Sequence, residues 1–97
     1  MNVVKEAIAG TLESSDLLVK VAPSDNGRQI VIHSDVFKQF GKQIQRVVTE
    51  TLDKLAVSAG SVVIEDKGAL DCVIRARVQA AVLRGAGTQE LNWGTLS

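Results

Sequence analysis

Cysteine, proline and histidine each occur once, tyrosine is absent, and aromatic residues make up only 3% of the 97 positions. The lone cysteine, Cys72, permits no intramolecular disulfide and no thiolate metal cluster, so the chain must stand on its apolar core, as proteins of a reducing cytosol do. The lone histidine, His33, is far from Cys72 in sequence and on a different expected element, which argues against a metal site or a Cys/His nucleophile pair. A structural or surface role is expected for His33 and a buried, inert one for Cys72. Net charge is missing too. Eleven Lys+Arg stand against eleven Asp+Glu, leaving no overall pull toward a nucleic-acid backbone or an anionic membrane. No stretch approaches the roughly 18 consecutive apolar residues of a membrane span. Met1 to Gly10 lacks the basic start and apolar block of an export signal. A soluble, cytoplasmic protein with no nucleic-acid and no membrane partner is the expectation.

What is present is a 45% hydrophobic content in a short chain. That fits a single domain over residues 1–97, in which roughly 60 to 70% of the unfolded surface can be buried. A deep substrate cavity would compete with the packing of so small a core. Ala7 to Leu12 and Asp16 to Val21 read as strands, placing Ser14 and Ser15 on the tip of a first hairpin. Pro23-Ser24-Asp25-Asn26-Gly27 is the clearest turn, and Gln29 to His33 reads as a third strand, expected to pair with the second as a hairpin. From Ser34 the period changes. Phe37, Phe40, Ile44, Val47, Val48, Thr51, Leu52 and Leu55 recur at the spacing of one helix face, with Ser34 placed as N-cap and Asp35 at the positive end of the dipole. Ser61 to Glu65 is a β-branched strand. Ala69 to Arg84 returns to helix, with Leu70, Val73, Ile74, Ala76, Ala80, Ala81 and Leu83 forming a wide apolar surface, and Gly85 and Gly87 ending it. An irregular tail follows from about residue 88. The order β-β-β-α-β-α specifies an α+β fold: a mostly antiparallel four-stranded sheet with two helices packed on one face.

Chemistry-bearing groups are sparse. Gly85-Ala86-Gly87 follows a helix, whereas a phosphate-binding loop lies between a strand and the helix that receives the charge. Glu65, Asp66 and Asp71 could converge at the start of the last helix as an acid/base pair, although Asp66 as a cap and Asp71 as a dipole partner explain them more simply. Arg75, Arg77 and Arg84 read as a solvated or salt-bridged helix face. Trp93 could anchor to another subunit or fold back on the core. There remains Glu13-Ser14-Ser15-Asp16, two hydroxyls flanked by two acids, with no histidine nearby to make either one a nucleophile. Such a hydroxyl is better suited to being modified by another enzyme than to attacking a substrate. A non-enzymatic interaction or scaffold domain accounts for the same composition without any covalent group.

At these residues the chain resembles the acyl carrier protein family of citrate lyase, the small gamma subunit of that bacterial complex. The resemblance lies in Val4-Lys5-Glu6-Ala7, Ala9-Gly10-Thr11, Glu13-Ser14-Ser15-Asp16-Leu17, Ser34-Asp35-Val36, Lys38-Gln39-Phe40-Gly41 and the run from Ile64 to Arg77. It implies a non-catalytic carrier. Ser14, with Ser15 as runner-up, would hold 2'-(5''-phosphoribosyl)-3'-dephospho-CoA through a phosphodiester, placed there by a prosthetic-group transferase. The thiol of that arm would carry acetyl and citryl groups as thioesters between two partners. The alpha subunit would exchange acetyl for citryl, and the beta subunit would cleave citryl to oxaloacetate. The carrier of a related lyase, such as citramalate lyase, is the alternative within this reading. Glu13 and Asp16 would then offer the partners a charged tip.

Overall fold

Leu17, Val19 and Val21 point to one side of a short strand and are buried, while Lys20 between them is exposed; that alternation organises the sheet. The computed structural model describes residues 1–87, apart from the Phe37 side chain. Trp93 and the expected irregular tail lie outside the described residues. Strands β1 (Ala7–Gly10), β2 (Leu17–Ala22) and β3 (Arg28–Ser34) come first, followed by helix α1 (Phe37–Lys54), strand β4 (Gly60–Asp66) and helix α2 (Asp71–Gly85). The expected β-β-β-α-β-α order is what the chain adopts.

Strand order in the sheet is β1-β2-β4-β3. The pairs β1/β2 and β2/β4 are antiparallel, and β3/β4 is parallel. The sheet is therefore mostly antiparallel but mixed. One expected pairing is corrected: β2 and β3 do not form a hairpin, because β4 lies between them. The Pro23–Gly27 connection instead arches past the start of β4, where the Gly60 N–H donates to the Gly27 carbonyl at 3.1 Å. Parallel pairing of β3 with β4 needs a crossover of a dozen or more residues, and α1 supplies it. The β-branched run Val62-Val63-Ile64 suits β4 to this central place, paired along both edges.

Val62 and Ile64 of β4, the inward residues of β2, Ile44, Val47, Val48, Leu52 and Leu55 of α1, and Ile74, Val78, Ala81 and Val82 of α2 share one buried core. Both helices lie over that face. Thr51 is buried among them, its hydroxyl donating to the Val47 carbonyl at 2.7 Å. Three expectations about faces are corrected. Phe40 is 49% and Leu70 70% exposed, because both border an open hollow between the starts of the two helices rather than the packed core. Ala76 is exposed as well. Ser34 is the last residue of β3 rather than the N-cap. That place belongs to Val36, whose N–H donates to the Ser34 hydroxyl at 3.1 Å. The opposite sheet face, with Ile8, Lys20, Val31 and Val63 in register, carries no helix among the described residues.

Candidate functional site

The β1–β2 connection, Thr11 to Asp16, forms a defined turn rather than a loose tip. The Asp16 N–H donates to the Glu13 carbonyl at 3.1 Å, making Ser14 and Ser15 the central residues of a β-turn. Ser15 has a φ of 65° and Ser14 is not among the positive-φ residues; a positive φ at the third position alone is the type II arrangement. Glycine usually fills that position, and an L-residue there costs roughly 1 kcal/mol or more. Ser15→Gly is therefore expected to raise stability by up to about 1 kcal/mol, and Ser15→Val to lower it by at least about 1 kcal/mol, a β-branched side chain being a genuine outlier there. Urea denaturation of the two variants checks both signs.

The base of the turn is stapled to the rest of the protein. The Ser15 N–H donates to the Lys67 carbonyl at 2.8 Å, and the Lys67 N–H donates to the Asp16 carbonyl at 2.9 Å. From α2, the Arg77 guanidinium donates through Nε at 3.1 Å and Nη2 at 3.0 Å to the two carboxylate oxygens of Asp16. This two-pronged geometry is stiffer than a single contact. The Thr11 hydroxyl donates to the same carboxylate at 2.7 Å and accepts the Glu13 N–H at 3.2 Å. The Leu17 N–H donates to Asp16 Oδ1 at 2.8 Å.

These donors hold the Asp16 carboxyl down from the usual 3.8 to about 2, the Arg77 hydrogen bond contributing most, then Thr11, with partial desolvation opposing them. A depressed carboxylate stabilises the fold above its ordinary pKa and loses that contribution as pH falls through the depressed value. Asp16→Asn is thus expected to cost about 1–2 kcal/mol near neutral pH. The gap from the wild type should narrow below about pH 4 and close only as the pH falls below about 2. Denaturation curves at several pH values test this; a gap independent of pH would show that the ion pair is not its source.

Within this frame Ser14 is exposed, and its hydroxyl makes no hydrogen bond among the described residues. Glu13 is exposed beside it. Asp16 is not an outward-facing charge, contrary to expectation, since Arg77, Thr11 and Leu17 occupy its carboxylate. Cys72 is exposed rather than buried, because the first turn of α2, on which it stands, borders an open hollow facing the start of α1. His33 is exposed on the helix-free side of the sheet, in register with Glu65, and does not meet Cys72. Among the described residues no cluster of His, Cys, Asp and Glu could hold a metal ion, and no helix is long and apolar enough to cross a membrane.

The three carboxylates at the start of α2 do not converge. Strand alternation sends Glu65 and Asp66 to opposite faces of β4. Asp66, 1% exposed, accepts from the Ser34 hydroxyl at 2.8 Å, the Gly68 N–H at 3.1 Å and the Ala69 N–H at 2.9 Å. It closes the turn before α2 instead of capping the helix, whose N-cap is Leu70. Asp71 stands in the first turn as expected of a dipole partner and accepts from Gln43 Nε2 at 2.7 Å. Arg77 is the functional residue whose role the sequence did not reveal. The available signal was a cation next to buried Val78, but its partner lies 61 residues away. Arg84, by contrast, donates to the Ile8 carbonyl at 2.8 Å.

Fold and site together define a presentation domain, a small α+β body holding two adjacent exposed hydroxyls, Ser14 and Ser15, at the corner of a pinned turn. A family model described as malonate decarboxylase delta subunit (MdcD), of the ACP type, matches residues 4–85. The chain is 62% identical over 97 residues, all of both chains, to the citrate lyase acyl carrier protein of Enterobacter sp. (strain 638). It is 62% identical over 96 residues to that of Pectobacterium carotovorum, covering 99% of this chain and 100% of the relative. The one from Rhodopseudomonas palustris is 48% identical over 97 residues, with both chains fully covered. The chain belongs to the family of citrate lyase acyl carrier proteins, and its part is that of a carrier, not of a catalyst.

Proposed function

We propose that Ser14 is the attachment point of a phosphoribosyl-dephospho-CoA arm, through which the chain serves a citrate lyase in the cytoplasm. The observation that carries this reading is the contrast between the two serines. Both hydroxyls are exposed and without a hydrogen bond among the described residues, but the backbone of Ser15 is left-handed and its N–H is tied to Lys67, whereas Ser14 stands at the turn corner with neither constraint. A phosphodiester on Ser14 would break no hydrogen bond within the described residues. Arg77, Thr11 and Lys67 keep the turn in place, so the anchor stays fixed relative to the body. When bound, the arm supplies a terminal thiol that holds acetyl and citryl groups as thioesters, the chemistry this protein's own side chains lack. Anchoring also raises the local concentration of that thiol at each partner site. The partners in this reading are a prosthetic-group transferase, an alpha subunit that transfers the acyl group and a beta subunit that cleaves citryl to oxaloacetate.

Peptide mapping after co-expression with the modifying enzymes tests it. The added mass is expected on Ser14; its appearance on Ser15, or no added mass at all, would overturn the assignment. The choice of acid rests on likeness to citrate lyase relatives over the whole chain. With purified alpha and beta subunits, the loaded protein is expected to support cleavage of citrate. Turnover confined to citramalate or malonate would move the assignment to a related complex.

A further inference from the structure

The geometry points to the hollow between the first turns of α1 and α2 as a resting groove for the uncharged, thiol-bearing end of the arm attached at Ser14. This rests on the attachment reading above. The hollow encloses about 700 Å³ and is lined on its apolar side by Val36, Phe40, Ile44, Leu70, Cys72 and Ile74, a volume within the range of small-molecule sites. Ile44 and Ile74 form a buried floor, while Phe40 and Leu70 stand as large apolar side chains left in water. Covering them is favourable for any apolar group that can reach.

The polar groups on the walls already have partners within the protein. Gln43 donates to Asp71, and Asp66 is held by Ser34 and two backbone N–H groups. Among the described residues no Lys or Arg lines the hollow. Phosphates would therefore face two carboxylates and no cation, whereas a neutral amide-linked chain ending in a thiol meets mainly apolar walls. The sugar-phosphate end of the arm thus stays at the turn and the distal end enters the groove.

Position supports the same occupant. The Ser15 N–H bonds the Lys67 carbonyl, and the next three residues, Gly68, Ala69 and Leu70, line the groove. The attachment turn and the rim of the groove are thus bonded neighbours. Gly68 between them has open space where a side chain would stand, with no heavy atom within 4 Å of that point, so nothing packed obstructs the passage. Because the arm is tethered, its effective concentration is on the order of millimolar. A weak site is therefore enough to hold it, and a partner subunit can still draw it out.

Methyl NMR spectra of the loaded and unloaded full chain test this, with loading confirmed first by intact mass. Absence of added mass would defeat the attachment reading itself, a separate failure. With the arm in place, methyl signals of Val36, Ile44, Leu70 and Ile74 are expected to shift, while those of Ile8, Val31 and Val63 on the helix-free sheet face stay put. Shifts confined to residues 11–16 would overturn the groove. So would the same groove shifts in the unloaded chain at raised concentration, which would mark a second copy as occupant. Mild oxidation of the loaded chain with diamide is a second readout. The arm thiol and Cys72 are expected to give up one hydrogen each to the oxidant and close an internal disulfide, which Cys72→Ser abolishes. Only intermolecular products, or none, would count against the proposal.

Discussion

Ser14→Ala is expected to leave the protein folded and wholly unloaded. After incubation with the transferase and its activated arm, the intact mass of the variant should equal that of the unmodified chain. Reconstituted lyase turnover should fall to background. The Ser14 side chain is exposed and hydrogen-bonded to nothing among the described residues. Alanine at the second position of a type II turn meets no backbone restriction. Stability should therefore change by no more than about 0.5 kcal/mol. Ser15→Ala is the matched control. It keeps the left-handed conformation at a similar cost and should load like the wild type. The reverse pattern, with Ser15→Ala unloaded and Ser14→Ala loaded, would exchange the roles of the two serines.

Gly10→Ala is expected to have the largest effect on stability. Gly10 closes β1 with a φ of 94°, and a Cβ there would overlap the carbonyl oxygen of Leu17, with Arg77 Cδ 3.3 Å away. The obstacle is backbone, so no rotamer change relieves it. The strand end must move, and with it the bond from the Thr11 N–H to the Leu17 carbonyl at 3.2 Å. Left-handed strain and overlap together should cost roughly 2–4 kcal/mol, a fall in Tm on the order of 10–20 °C. The same displacement pulls Thr11 away from Asp16, so the surviving folded fraction should load more slowly than the wild type. A melting curve matching that of the wild type would show that the hairpin end is not held as described.

Periodicity identified the elements because burial alternates over two residues in β2 and recurs every three to four in α1. Ser14 was legible for a related reason: turn residues between two strand-forming runs place themselves at a tip. The partner of β2 was not legible. Pro23–Gly27 is turn chemistry in either topology, and the five residues serve equally to reverse onto a neighbour or to step across an intervening strand. Cys72 and Phe40 were misassigned for a comparable cause. Composition and spacing describe a helix as if it were covered along its whole length, whereas the starts of α1 and α2 border an open hollow. Likewise Asp16, which reads as a surface charge beside Ser14, is engaged by a guanidinium from the last helix.

The sequence alone determined the order of strands and helices, most of the residues that fill the core and the serine turn at the hairpin tip. These depend on propensities and patterns among residues only a few positions apart. Tertiary structure alone decided that β4 separates β2 from β3, that Arg77 locks Asp16 and that an apolar hollow adjoins the serine turn. Each of these depends on contacts between residues dozens of positions apart, chosen by competition among whole packings, which no local stretch of the chain encodes.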